Sequence, residues 1–256
     1  MNFREYSVGR RISHSGIYLL PNLFTTSSLF AAFYSIVASL KTNFETAVIA
    51  IFIGMIADGL DGRIARLTNT QTDFGAEYDS LSDMVSFGVA PALLIYTWTL
   101  QFTGKLGWLI AFLFTACVAL RLARFNTQID KADKRYFQGL ACPAAAAFVA
   151  SWVWICHQYN FDWSFIPWLT MGISVLCSVL MVSNIRYHSF KQIDLKGKIS
   201  FLSVLMLVMV FVAIASSPAT LLFVTTLSYA FSGPIQTLYT KHKMRKQRRK
   251  ASKIEA

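Results

Sequence analysis

Hydrophobic residues in this chain gather in long blocks instead of alternating with polar ones. Eight apolar stretches can be marked: Tyr18–Leu40, Thr46–Ala65, Leu81–Leu100, Leu106–Ala123, Leu140–Cys156, Phe165–Val182, Ile199–Ala215 and Ala219–Tyr239. Most approach the ~20 residues that a helix needs to cross a bilayer. The pattern predicts an all-α, polytopic membrane helical bundle of about eight transmembrane helices. The longer polar connections, Leu67–Glu77, Asn126–Gln138 and Ser183–Lys198, all fall on one side of such a bundle. None is large enough for a soluble domain. The chain therefore reads as one membrane domain, 1–256, with a short N-terminal interfacial segment 1–17 and a basic tail 241–256.

The basic residues orient this bundle. With both termini cytoplasmic, the external connections hold only Lys41 and Lys105 of the 24 Lys and Arg. The cytoplasmic side then receives Arg4, Arg10 and Arg11, Lys131, Lys134 and Arg135, Arg186, Lys191, Lys196 and Lys198, and the tail KHKMRKQRRK. That asymmetry is the positive-inside pattern and requires an even number of spans. A composition 55% hydrophobic and 14% charged agrees with a polytopic membrane protein. The net charge of +11 sits beside spans, where anionic lipid headgroups are the fitting partner and nucleic acid is not. Cys117, Cys142, Cys156 and Cys177 are scattered through apolar stretches with no metal or redox spacing, and read as small buried hydrophobes. Pro21 is expected near the start of the first helix, where its missing N–H matters least. Trp152, Trp154, Trp163 and Trp168 flank an external connection, as interfacial anchors would.

Against this background the acids stand out, because the chain has only 13 of them. Asp58 and Asp61 are three apart near the cytoplasmic end of the second stretch, and Asp79 and Asp83 are four apart at the start of the third. Each pair shares a helix face, and the short connection makes the helices antiparallel neighbours, so the four carboxylates converge. Gathered carboxylates repel one another unless something compensates. Mg²⁺ or Mn²⁺, which prefer oxygen ligands, would do so, and two such ions suit phosphoryl chemistry. Arg63 and Arg66 offer the plainer alternative of simple neutralisation. Gly59, Gly62, Ala65 and Gly75 leave room for phosphates to approach the backbone, and Arg66 could fork onto them.

The fixed positions Asp58, Asp61, Gly62, Ala65, Arg66, Gly75, Asp79 and Asp83 spell D-x-x-D-G-x-x-A-R, eight residues, then G-x-x-x-D-x-x-x-D. This resembles the motif of the CDP-alcohol phosphotransferase family, membrane enzymes that move a substituted phosphate from a CDP-linked donor to an alcohol and release CMP. The resemblance implies that Asp58, Asp61 and Asp79 are metal ligands, with Mg²⁺ or Mn²⁺ bound as two ions per site. It implies that Asp83 completes the second metal site and serves as the catalytic general base. It also implies that Asp58, Gly62, Ala65, Arg66, Gly75 and Asp79 bind CDP, and that the enzyme is a homodimer.

The aspartate motif does not choose the acceptor. LPNLFT near the N-terminus, SDMVSFGVAPA (Ser82–Ala92), LRLARFN (Leu120–Asn126) and SNIRYHSFK (Ser183–Lys191) resemble the bacterial members that use serine. The implied reaction takes CDP-diacylglycerol and L-serine to phosphatidylserine and CMP, at the cytoplasmic face of the bacterial inner membrane. The residues argue in the same direction. Serine carries a carboxylate, and Arg121, Arg124 and Arg186 lie near the expected depth of the aspartates, so one of them is expected to bind it. Asn126 could offer its amide to the substrate or cap a helix. A phosphatidylglycerophosphate synthase would also want arginines and is the rival within the family. A cation-coupled transporter is the rival outside it, but the acids sit at one interface with no second cluster opposite.

Overall fold

A computed structural model of the chain describes residues 15–68, 70–128, 136–161, 164–188, 209 and 216–251. Within them every apolar stretch but one coincides with a helix. The exception, Ile199–Ala215, lies outside the described residues apart from Met209. The order is α1 (Ser15–Leu40), α2 (Phe44–Thr68), α3 (Asp73–Asp83), a π-helical turn (Met84–Val89), α4 (Ala90–Trp98), a 3₁₀ turn (Leu100–Thr103) and α5 (Lys105–Gln128). Next come β1 (Tyr136–Gln138), α6 (Cys142–Gln158), α7 (Ile166–Val182), β2 (Arg186–His188) and α8 (Pro218–Ala251). Three helical runs, Pro21–Leu40, Asp73–Trp98 and Lys105–Thr127, are long and apolar enough to cross a membrane. The molecule is thus a mostly helical protein with membrane-length helices. Of the terminal segments, only Ser15–Ile17 and Lys241–Ala251 lie within the described residues, as parts of α1 and α8.

Small side chains set the closest packing. On α1, Ser28, Ala31, Ala32, Ser35, Ala38 and Ser39 are buried, and α2, which buries Ala47, Val48, Ala50, Ile51 and Gly54, packs along this helix. A Cβ at Gly54 would stand 3.4 Å from the Ser28 carbonyl oxygen, so the two backbones lie as close as the seam allows. The α1–α2 pair packs through α2 onto α6, which also meets α8, while α5 lies against α7. Ala145, Ala146, Val149, Ala150 and Val153 make α6 the buried axis of the core.

Four sequence expectations change. Pro21 is inside α1, because the helix already begins at Ser15. The missing N–H removes one ladder bond in the second turn, and apolar Ile17–Leu20 continue the helix regardless. Trp152 is no interfacial anchor: it is buried, and its Nε1 donates to Thr170 Oγ1 at 2.9 Å, bracing α6 to α7. Trp154 is half-buried against Phe52, Trp168 is exposed, and Trp163 lies outside the described residues. The Leu67–Glu77 connection is mostly helix, for α2 runs to Thr68 and α3 starts at Asp73. Thr72 makes this possible by accepting the Gly75 N–H at 3.0 Å as an N-cap.

The fourth change is a small sheet in an otherwise helical chain. β1 and β2 pair antiparallel with Tyr136 opposite His188, Phe137 opposite Tyr187 and Gln138 opposite Arg186. Tyr187 is fully buried, and its hydroxyl donates to the Ala230 carbonyl of α8 at 2.9 Å. Gly233 admits the ring, since a Cβ there would lie 2.4 Å from Tyr187 Cζ. Gly139, at φ +75°, turns the chain from β1 into α6 past the end of α7.

Candidate active site

The site forms where α1, α2 and α3 meet. Thr25 of α1 is the strut between the other two. Its Oγ1 donates to Asp61 Oδ2 at 2.7 Å, and its backbone carbonyl accepts from Ser82 Oγ at 3.2 Å. One turn on, the Ser28 and Ser86 hydroxyls meet at 3.3 Å. The connection from α2 to α3 is held short by Thr70 N–H bonding to Ala65 O and by the Thr68–Thr70 hydroxyl pair. Both acidic pairs are thereby brought to one level.

The four carboxylates do converge. Asp58, Asp61 and Asp79 each place an oxygen within 4.8 Å of the others. Asp83 lies against the Asp58 carboxyl with Asp79 and Asp61 nearby. Asp61 is only 5% exposed. Asp79 Oδ1 and Asp83 Oδ1 are buried and accept no hydrogen bond among the described residues. Arg66 does not neutralise them, because its Nε turns back to the Gly62 carbonyl at 2.8 Å. Buried carboxylate oxygens without donors, gathered this tightly, fit a hard divalent cation.

The sequence that builds this site has relatives among known proteins. The sequence profile of the CDP-alcohol phosphatidyltransferases matches residues 18–180. The chain belongs to the CDP-alcohol phosphatidyltransferase family. Relatives within it include a CDP-diacylglycerol–serine O-phosphatidyltransferase of Helicobacter pylori strain J99, 43% identical over 196 residues, 77% of this chain and 83% of the relative. Proteins of the same name occur in Mycobacterium leprae, 32% identical over 82% of this chain and 72% of the relative, and in Bacillus subtilis, 34% identical over 68% and 92%.

The remaining family positions differ in their surroundings. A Cβ added at Gly59 or Gly62 would meet no atom within 4 Å, so both glycines border empty space. Ala65 is partly buried and Arg66 exposed on the same helix. Gly75 is tighter: a Cβ there would stand 3.1 Å from Thr72 Oγ1 and 3.5 Å from Asn22 Oδ1. Immediately after Asp83 the helix widens into the π turn, where the Ala90 N–H reaches back five residues to Val85 O. Pro91 lacks an N–H to continue the regular ladder, and the wider turn accommodates it.

The three arginines part company. Arg121 reaches Cys142 Sγ with Nη1 at 3.3 Å, and its Nε is buried without a hydrogen-bond partner. Cys142, at the first turn of α6, also lies near Asp83, so it is the side chain that stands between Arg121 and the carboxylate cluster. Arg124 is engaged elsewhere, bonding Val182 O at 3.3 Å, Gln138 Oε1 at 2.5 Å and Asn184 Oδ1 at 2.6 Å. The backbone of Arg186 is in β2, and its side chain lies outside the described residues. Asn126 neither caps a helix nor stands free: its Nδ2 donates to Ser80 Oγ at 3.0 Å, tying α5 to the residue after Asp79. Sequence reasoning missed Thr25, Ser80 and Cys142 as parts of this site. For Thr25 alone there was a signal, its place in LPNLFT.

Proposed function

We propose that the chain transfers the phosphatidyl group of CDP-diacylglycerol to the hydroxyl of L-serine, forming phosphatidylserine and CMP. The observation that carries this is the carboxylate cluster with two buried oxygens that have no donor. The names of the relatives supply the acceptor. Asp58, Asp61, Asp79 and Asp83 would hold one or two Mg²⁺ or Mn²⁺ ions, which supply neutralisation of a pyrophosphate and of the charge that builds on it.

The chain's own residues do the rest. Thr25 fixes Asp61 by its hydrogen bond. The donor's phosphates lie at Arg66 and in the open space beside Gly59 and Gly62, and the cytidine or ribose approaches near Gly75. Arg121 takes the serine carboxylate, since its buried Nε has no partner, whereas three N–H groups of Arg124 are already held by neutral oxygens. Asp83 Oδ1 accepts the proton of the serine hydroxyl as that oxygen bonds to the β-phosphorus. The bond from this phosphorus to the oxygen of CMP breaks in the same displacement. The enzyme acts as a homodimer in the bacterial inner membrane, with eight spans and with the site and both termini facing the cytoplasm.

An acceptor screen tests the reading. Purified protein in liposomes with CDP-diacylglycerol is given L-serine, glycerol 3-phosphate, inositol phosphate or choline, and CMP is measured. Release with serine alone is expected. Release with glycerol 3-phosphate instead would overturn the choice of serine, and release with none of the four would overturn the transfer reaction.

A further inference from the structure

Arg124 sits one helical turn beyond Arg121 on α5, yet its guanidinium binds no acid among the contacts it makes. It grips three neutral oxygens instead: the last carbonyl of α7, the Gln138 amide that ends β1, and the Asn184 amide that precedes β2. Each of these belongs to a different segment, so one planar fork fastens α5, the small sheet and the end of α7 together.

The backbone beyond Gln138 carries this clasp toward the site. The Gly139 N–H bonds to Ile185 O at 2.8 Å, and the Leu140 N–H bonds to Leu180 O at 3.0 Å. A Cβ at Gly139 would stand 2.2 Å from Met181 O, so the strand end is pressed onto α7. Leu140 is fully buried, and two residues later α6 begins at Cys142. Cys142 is the side chain that Arg121 touches. A continuous set of contacts thus runs from the Arg124 fork to Cys142, which lies near Asp83 and is touched by the Arg121 guanidinium.

We propose that Arg124 is a positioning residue for the acceptor side of the site: it clasps Gln138, Asn184 and Val182 so that the start of α6 holds Arg121 in register with Asp83. The role belongs to the fork, not to the charge. A lysine keeps the charge but cannot reach three oxygens in one plane. The inference rests on the reading that Arg121 receives serine.

The test compares wild type, Arg124→Lys and Asn184→Ala in liposomes, with two readouts. The first is steady-state kinetics for serine and for CDP-diacylglycerol. The second is N-ethylmaleimide labelling of Cys142, read by peptide mass spectrometry and independent of turnover. In Arg124→Lys the serine KM should rise about tenfold, as expected for a misplaced binding group, with kcat and donor KM nearly unchanged. Cys142, fully buried in the native protein, should become labelled. Asn184→Ala removes one arm and should move both readouts in the same direction by less. A wild-type serine KM with Cys142 still protected in Arg124→Lys would overturn the clasp, and so would an equal loss in donor KM and kcat. If wild type does not use serine, the functional reading fails, and labelling of Cys142 in Arg124→Lys still decides the clasp.

Discussion

Thr25→Val removes one hydroxyl and keeps the shape of the side chain. The Thr25 proton has two acceptors within reach, Asp61 Oδ2 at 2.7 Å and Pro21 O at 3.2 Å. The shorter contact to a carboxylate is the stronger one. Asp61 is only 5% exposed, so water does not readily replace the lost donor. A hydrogen bond to a charged group is worth about 1.5–3 kcal/mol, which corresponds to roughly 10- to 150-fold in an equilibrium constant. Residues that orient metal ligands have effects of similar size, about 10- to 100-fold in metal affinity or activity. The assay is CMP release at saturating donor and serine while free Mg²⁺ is varied. The half-activating Mg²⁺ concentration should rise by about tenfold or more, with little change in serine KM, and Thr25→Ser should restore it. Wild-type Mg²⁺ dependence in Thr25→Val would mean that the bond contributes nothing to the carboxylate geometry.

Gly62→Ala should hold or raise thermal stability, since its Cβ meets no atom within 4 Å and alanine favours a helix by about 1 kcal/mol. The same methyl intrudes on the open side of the cluster, so the KM for CDP-diacylglycerol should rise; an unchanged value would show that the donor lies elsewhere. Gly233→Ala should do the reverse. Its Cβ would stand 2.4 Å from Tyr187 Cζ, and overpacking of this kind costs about 1–3 kcal/mol. A lowered Tm in detergent is expected, and an unaltered Tm would contradict the close packing of β2 on α8.

The positions of the helices were legible because lipid-length apolar blocks leave little choice of structure. The aspartate cluster was legible for a related reason. Spacings of three and four fix a shared helix face, and a short connection forces the two faces together. The start of α3 was not, since Asp73 and Glu77 look like loop residues until Thr72 is seen to cap the helix. The β1–β2 pair was invisible because each strand is three residues long and its partner lies far along the chain. Thr25 depends on an aspartate 36 residues away, so no local pattern gives its role. The arginines show the same limit. Arg121 and Arg124 are equivalent in sequence, and only the placement of Cys142, Gln138 and Asn184 separates a guanidinium with a buried, unpartnered Nε from one held by three oxygens.

The carboxylate cluster is expected to move a phosphatidyl group onto serine, with Asp83 taking the proton. The most direct test supplies CDP-diacylglycerol and isotope-labelled L-serine to wild type and Asp83→Asn in liposomes, and tracks labelled lipid, CMP and donor binding together. Wild type should form one labelled phosphatidylserine for each CMP. Asp83→Asn should lose both products almost completely while most donor binding survives. CMP without labelled lipid in wild type, or undiminished labelled lipid in Asp83→Asn, would contradict these roles.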